Sequence, residues 1–269
     1  MSLRTLLVHG GVDDRLVSRT DFATKLARTH GARVIILCPL KGDAGACLHA
    51  EHARASAVAH HVRAERLRAA RIGTRLARQM TRQGIRADWI ATEGPVHEVL
   101  ASRSAIADLV IVSWSEAAWV SPQASSVVVA AGRPVLVVPA GNSFASCAQR
   151  VLVAWNASRE AARAMQDALP FLQRAEQVIL LSAGDDAGVA SSVSDAVAYL
   201  EAHDVTARPD HRAMHGHDAG QAILRAARCH RADMIVMGAF GHSRLHEWTF
   251  GGATRTVLQS VTVPTLLSR

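Results

Sequence analysis

The feature that most constrains the fold of this sequence is an internal repeat. Three short apolar segments of the first half recur in the same order in the second half. The pairs are Thr5–His9 with Val151–Trp155, Ala107–Val112 with Ala232–Met237, and Arg133–Val138 with Val263–Leu267. Each segment is too short for a helix and rich in β-branched residues, as buried parallel strands are. A chain with such a repeat is expected to fold as two similar units.

Helical patterns lie between the predicted strands. In the second half Ser158 is placed as the N-cap of one helix, and Ser194–His203 and Ala219–His230 also have helical spacing. Val178–Ser182 and the weaker segment Val205–Met214 are the remaining strand signals. Alternating strands and helices are typical of a parallel sheet with helices on both faces. The pattern therefore predicts an α/β fold built from two Rossmann-like domains, each with a five-stranded parallel sheet.

The last strand of each half suggests how the two domains meet. Val135–Val138 and Thr265–Leu267 are apolar and follow prolines, as edge strands can, and exposed apolar edges invite pairing. We therefore predict that domains 1–140 and 150–269 dock through these strands as a pseudo-two-fold intramolecular dimer. The sequence leaves open whether two chains assemble further into a homodimer.

Composition places the chain among ordinary globular proteins. Of 269 residues, 49% are hydrophobic and 20% charged, which excludes a disordered or fibrous chain. No apolar run approaches about 18 residues, so we expect no membrane span, and the apolar start is too short for a secretory signal. The four cysteines form no Cys-x-x-Cys pair, so we expect reduced thiols in a cytoplasmic protein.

A glycine-spaced segment follows the predicted strand that ends at Met237. Its glycines are separated by two and then nine residues, and a predicted helix begins directly after them. Glycine lets the backbone turn tightly and approach a ligand, and a helix N-terminus binds anions. Neighbouring basic and hydroxyl side chains could add hydrogen-bond donors. The predicted phosphate-binding residues are Gly238, Gly241, His242, Arg244, Gly251, Gly252 and Thr254.

This spacing resembles the G-x2-G-x9-G-[S/T] nucleotide-binding motif of universal stress proteins. The tandem α/β halves, the closing Val-Pro strand and the short turn Trp155–Ser158 also resemble that family. The resemblance implies an adenine nucleotide alpha-hydrolase-like fold and a stress-response regulator. It also implies that the C-terminal domain binds ATP or a related adenine nucleotide, with or without Mg²⁺, and that Trp155, Asn156 and Gly216 contribute to the site.

The sequence departs from the family motif at two positions. Gly252 stands where the motif usually has Ser or Thr, and Asn156 stands where ATP-binding members usually have Asp. Two alternatives therefore remain open beside nucleotide binding: an interaction protein of the same fold without nucleotide, and a weak ATPase in which Glu247 orients water or magnesium. No other catalytic residues are expected, and no dedicated enzymatic activity.

The first half lacks the glycine loop. No glycine follows Val112 before Ser126, and Asp108 to Pro134 spans 26 positions, against 31 from Asp233 to Pro264. Backbone cannot approach a phosphate chain there in the same way, so we predict a scaffold role for this half.

Arginine and histidine clusters complete the candidates. A long helix predicted over residues 48–84 carries Arg68, Arg71, Arg75, Arg78 and Arg82 on one face, a surface for a polyanion or an unidentified protein partner. Nucleic acid is the less favoured polyanion, because no aromatic residues interleave to stack bases. The histidines near Cys47 and near His215 are read as solvated, and no metal site is expected.

Overall fold

The computed structural model describes residues 2–40, 52–113, 127–139, 144, 148–183, 187–212, 219–239, 252–260 and 262–269. The strands are β1 (Thr5–His9), β2 (Arg33–Leu40), β3 (Ala87–Glu93), β4 (Leu109–Ser113), β5 (Val135–Val138), β6 (Arg150–Trp155), β7 (Gln177–Ala183), β8 (Ala207–Arg212), β9 (Met234–Gly238) and β10 (Thr265–Ser268). The helices are α1 (Leu16–His30), α2 (His52–Arg82), α3 (Val96–Ser104), α4 (Arg159–Leu172), α5 (Ala187–Glu201), α6 (Ala219–Cys229) and α7 (Gly252–Ser260).

All ten strands form one continuous sheet in the order β3-β2-β1-β4-β5-β10-β9-β6-β7-β8. Five strands come from each half of the sequence, and the order in one half mirrors the order in the other. Pairing within each half is parallel, whereas β5 and β10 pair antiparallel with Leu136 opposite Leu266. Antiparallel contact between equivalent strands relates the halves by an approximate two-fold axis. The predicted α/β fold with docked closing strands is therefore confirmed.

The repeat differs in register from the sequence comparison by one residue. Asp108 accepts hydrogen bonds from the backbone N–H groups of Arg4 and Thr5, and Asp233 accepts them in the same way from Gln149 and Arg150. Thr5 therefore corresponds to Arg150, rather than to Val151. The aspartate repeated in both halves fixes where the first strand of each half begins.

Two apolar cores cover the two faces of the sheet. Side chains of α1, α2, α4 and α5 pack in one core with alternate strand residues such as Leu6, Leu136 and Leu266. Those of α3, α6 and α7 pack in the other core with the intervening residues, among them Leu7 and Leu267. Because side chains alternate along a strand, a strand buried on both faces is apolar throughout, as β4 and β5 are. Among the described helices, none has both the length and the apolar character needed to span a lipid bilayer.

Candidate functional site

The candidate site lies at the carboxyl edge of the second half of the sheet. There β6 ends at Trp155, β9 ends at Gly238, and α4 and α7 begin at Arg159 and Gly252. Parallel strands bring these ends to the same edge, where ligands of open α/β sheets bind. The two helix N-termini contribute free backbone N–H groups and positive dipole ends, which favour an anion.

A short hydrogen-bonded turn starts helix α4. The Ser158 hydroxyl accepts from the Ala161 N–H at 3.1 Å and is the side-chain cap of the helix, as predicted. The same hydroxyl donates to Asn156 Oδ1 at 2.7 Å. Asn156 therefore uses its carbonyl oxygen to organise the turn. Its amide nitrogen makes no hydrogen bond within the described part of the chain.

Gly238 is required by packing at the end of β9. A Cβ atom there would lie 2.6 Å from the Glu160 carbonyl carbon and 2.7 Å from the Ala161 nitrogen. These are backbone atoms of the first turn of α4, and they cannot move aside as a flexible side chain would. Gly238 thus lets the strand end and the helix start touch, and this contact closes one wall of the candidate site.

Helix α7 presents Gly252 outward and Thr254 inward. Gly252 is exposed, and a Cβ atom placed on it would meet no atom of the described residues within 4 Å. Thr254 is only 3% exposed and shares the buried face of the helix with Val257 and Leu258. The structure thus places the hydroxyl of Thr254 on the core side. At the position where the motif usually has a hydroxyl residue, Gly252 leaves room for one.

The beginning of α7 is held in place by α6. A Cβ atom on Gly220 would lie 2.6 Å from Thr256 Cβ and 2.8 Å from the Ala253 carbonyl oxygen. Only glycine therefore allows α6 to pack so closely on the first turns of α7. Sequence reasoning missed Gly220, although a lone glycine at the start of a predicted helix was a signal of close packing.

Trp155 is anchored to its surroundings. Its indole nitrogen donates to Ser192 Oγ of α5 at 2.9 Å, and the half-buried ring packs against the core under α4 and α5. The ring therefore forms part of the floor behind the site. The predicted site residues Gly216, Gly241, His242, Arg244 and Gly251, together with Glu247, lie outside the described residues.

The equivalent edge of the first half is filled by a buried arginine that the sequence analysis missed. Arg19 of α1 is 1% exposed and donates to the carbonyl oxygens of His9 and Gly11. It also pairs with the carboxylate of Asp13 at 3.3 Å. A side chain of the protein itself thus occupies the turn after β1, while the scaffold role of this half stays a prediction.

Burial and the charge of Arg19 keep His9 neutral. Burial, the larger cause, and the positive charge of Arg19 together lower the pKa of His9 to about 3, against the opposing charge of Asp13. The His9 ring lies over Gly11, where a Cβ atom would come within 2.8 Å of the imidazole. Nothing in the spacing of these residues indicated this arrangement, because it depends on the helix folding back over the strand end.

A second charged cluster lies at the outer edge of the second half. Asp210 of β8 accepts from His230 at 2.7 Å and from Arg212 at 2.9 Å. Burial alone would raise the pKa of Asp210, but the two hydrogen bonds bring it below its usual value. Among the described residues, no three metal-ligating side chains lie close enough together to hold a metal ion.

Comparison with known proteins identifies part of the chain. Residues 148–269 match the model of the universal stress protein family. A search of curated proteins finds no significant match.

Among solved structures, a universal stress protein from Archaeoglobus fulgidus DSM 4304 is similar over 99% of this chain and 98% of its own, with 15% identity and a TM-score of 0.78. A universal stress protein from Pseudomonas aeruginosa UCBPP-PA14 is similar over 99% and 93%, with 16% identity and a TM-score of 0.64. At such identities these structures establish the shared fold of the whole chain. The sequence match to the universal stress protein family covers the second half, residues 148–269.

Proposed function

We propose that the chain is a tandem universal stress protein, residues 1–140 and 150–269, whose C-terminal domain binds ATP or a related adenine nucleotide as a regulatory ligand. The observation that carries this proposal is that helices α4 and α7 both begin at the carboxyl edge where β6 and β9 end, with Gly238 packed against the first turn of α4. A phosphate chain fits there because backbone N–H groups and helix dipoles converge on one edge. The reduced thiols of Cys38 and Cys229 support a cytoplasmic location.

Isothermal calorimetry with ATP and AMP, with and without Mg²⁺, tests this proposal. Two substitutions sharpen the test, because each restores what the family motif usually has. Asn156→Asp should tighten nucleotide binding by about tenfold, since one carboxylate oxygen can keep the bond to Ser158 while the other puts a charged acceptor in place of the amide nitrogen. Gly252→Ser should tighten it by a smaller factor, because its side chain meets no atom of the described residues and adds one hydroxyl.

The matched control is Gln259→Ser, which adds a hydroxyl at the far, exposed end of the same helix α7. Its nucleotide affinity should equal that of the unmodified protein. If neither ATP nor AMP binds to the unmodified protein or to Asn156→Asp, the nucleotide proposal is overturned and the family fold alone remains.

A second candidate function rests on helix α2. Arg71, Arg75, Arg78 and Arg82 line a surface cleft of about 730 Å³ together with Leu67. Within the described residues these four guanidinium groups have no carboxylate partner, and Leu67 is an exposed apolar side chain. Charge and apolar surface in one cleft suit an acidic segment of a partner protein.

Retention on immobilised polyglutamate tests this second candidate. The triple substitution of Arg71, Arg75 and Arg78 to Gln should abolish retention at low salt. The control is a triple substitution to Gln outside this cleft, at Arg159, Arg225 and Arg228. It removes the same charge and should lower retention much less. Equal retention of the two triple variants would mean that net charge alone is responsible.

A further inference from the structure

The seam between the two halves of the sheet holds a second cleft. Its volume is about 280 Å³, and it lies where the end of β10 passes the segment before β5. The first half contributes Gly132 and Arg133, and the second half contributes Arg163, Asp167, Ser268 and Arg269. Both halves therefore supply charged groups to the same small space.

The charged side chains of this cleft are mostly positive. Arg133, Arg163 and Arg269 bring three guanidinium groups, and Asp167 brings one carboxylate. Arg163 Nε donates to Asp167 Oδ2 at 3.0 Å, and this carboxylate is 8% exposed. This ion pair leaves the terminal nitrogens of Arg163 available. One terminal nitrogen of Arg133 donates to the Ala105 carbonyl at 3.3 Å. An excess of guanidinium groups remains to face the cleft.

A buried hydroxyl without a partner lies in the same place. Ser268 is 2% exposed, and its Oγ has no hydrogen-bond partner among the described residues. Side chains alternate along β10, so Ser268 lies on the same face as Leu266, which packs in the core under α4. Its hydroxyl therefore points to the side where Arg163 and Asp167 lie. A buried hydroxyl left unpaired is costly, so an acceptor is missing from this cleft.

We propose that this cleft binds an oxyanion of the phosphate class, held by both halves at once. Guanidinium groups match the oxygens of phosphate in charge and geometry, and the Ser268 hydroxyl would donate to one of them. A volume of about 280 Å³ holds phosphate or a small phosphate ester, and it is below what a whole nucleotide needs. Because its contacts come from both halves, the anion stabilises their docking.

Two kinds of ligand carry a phosphate group that fits this cleft. Ser268 pairs with Gly238 in the sheet, and the Ala239 N–H donates to the Ser268 carbonyl at 2.8 Å. The cleft therefore adjoins the strand that leads into the glycine loop. It receives either a free small phosphate or the terminal phosphate of a nucleotide bound at that loop.

Calorimetric titration of the full chain with inorganic phosphate, at constant ionic strength set by chloride, tests this proposal. Arg133→Gln should weaken phosphate binding by about tenfold, the usual effect of removing one charge-assisted hydrogen bond. Arg133→Lys should restore part of it. Ser268→Ala should weaken binding severalfold without lowering the melting temperature of the phosphate-free protein. Arg225→Gln is the matched control, because Arg225 is exposed in the middle of α6 and lies outside the cleft.

Competition distinguishes the two sources. If saturating ATP raises the apparent Kd for phosphate by tenfold or more, the cleft holds the phosphate of a bound nucleotide. Unchanged phosphate binding in the presence of ATP identifies a separate small-phosphate site. The proposal is overturned if phosphate binds no better than chloride, or if Arg133→Gln and Ser268→Ala bind as tightly as the control. Phosphate is the probe, so this result stands even if no nucleotide binds to the protein.

Discussion

The carboxyl ends of β1 and β6 occupy equivalent places in the two halves and differ in what lies beyond them. After β1 the chain runs through Gly10 and Gly11, and Arg19 turns back to bond to carbonyl oxygens there. After β6 it runs through Asn156 to Ser158, whose hydroxyl caps α4. The same strand–turn–helix unit thus has a buried arginine bonded to its turn in the first half. In the second half its turn leads directly into a capped helix N-terminus.

The difference shows what decides whether such an edge can receive an anion. A guanidinium group at the end of β1 uses the carbonyl groups of the turn as acceptors and neutralises Asp13, so that edge is already satisfied. At the end of β6 the first backbone N–H groups of α4 have no acceptor within the helix, and the Ser158 hydroxyl caps one of them. Unpaired N–H donors can bind an acceptor of a ligand, whereas the guanidinium group of Arg19 already has its acceptors within the protein.

The largest expected effect is a loss of stability when Arg19, at the end of β1, is replaced. Replacing Arg19 with Gln should lower the free energy of unfolding by about 3 kcal/mol, because Asp13 and two carbonyl groups lose their buried partner. Urea denaturation followed by circular dichroism measures this change. Arg159→Gln, at an exposed position of the second half, should change stability by less than about 0.5 kcal/mol. Equal stability of the two variants would show that Arg19 does not hold this edge together.

The next effect concerns the glycines of the open edge. Gly238→Ala should destabilise the protein by about 2 kcal/mol, because its methyl group would meet the backbone of α4. Gly252→Ala is the matched substitution: the added methyl group meets none of the atoms that the structure describes, and a small gain in helix stability is expected. Melting temperatures measured on both variants compare them directly. Loss of stability in Gly252→Ala instead would mean that α7 is held differently.

The smallest expected effect is a pH dependence of stability, and it arises from His9 at the end of β1. The pKa of His9 is about 3 in the folded protein and about 6.5 in an unfolded chain, so the unfolded state takes up the proton first. Stability from this residue is therefore present at neutral pH and is lost as pH falls from about 6.5 towards 3. Between pH 6 and 5 the contribution should fall by about 1 kcal/mol. His9→Gln should show a correspondingly shallower loss in denaturation curves at these two pH values.

Features set by short-range pattern could be predicted from the sequence. The repeated Ala-Asp segments, the alternation of strands and helices and the apolar closing strands led to the sheet that is observed. The helix predicted over residues 48–84 is found as His52–Arg82, because its apolar and basic faces recur at helical spacing. The helix predicted from Ser194 begins earlier, at Ala187, since its small residues carry little periodic signal.

Features made by distant contacts could not be predicted. Arg19 looks like any surface arginine in the sequence, and only the fold of α1 over β1 buries it. The register between the halves was wrong by one residue, because apolar runs align equally well in either register until Asp108 and Asp233 are seen to fix it. The cleft at the seam joins residues 133, 163 and 268, which no local pattern connects.

The antiparallel contact of β5 with β10 has a consequence for how the two halves can diverge. Two identical subunits joined in this way would carry every substitution twice, once on each side of the axis. Here both sides belong to a single polypeptide, so a change such as Arg19 occurs once, and the buried face of α4 contains no arginine to match it. Tethering also keeps the contact at a constant effective concentration, so dilution of the protein should not separate the halves.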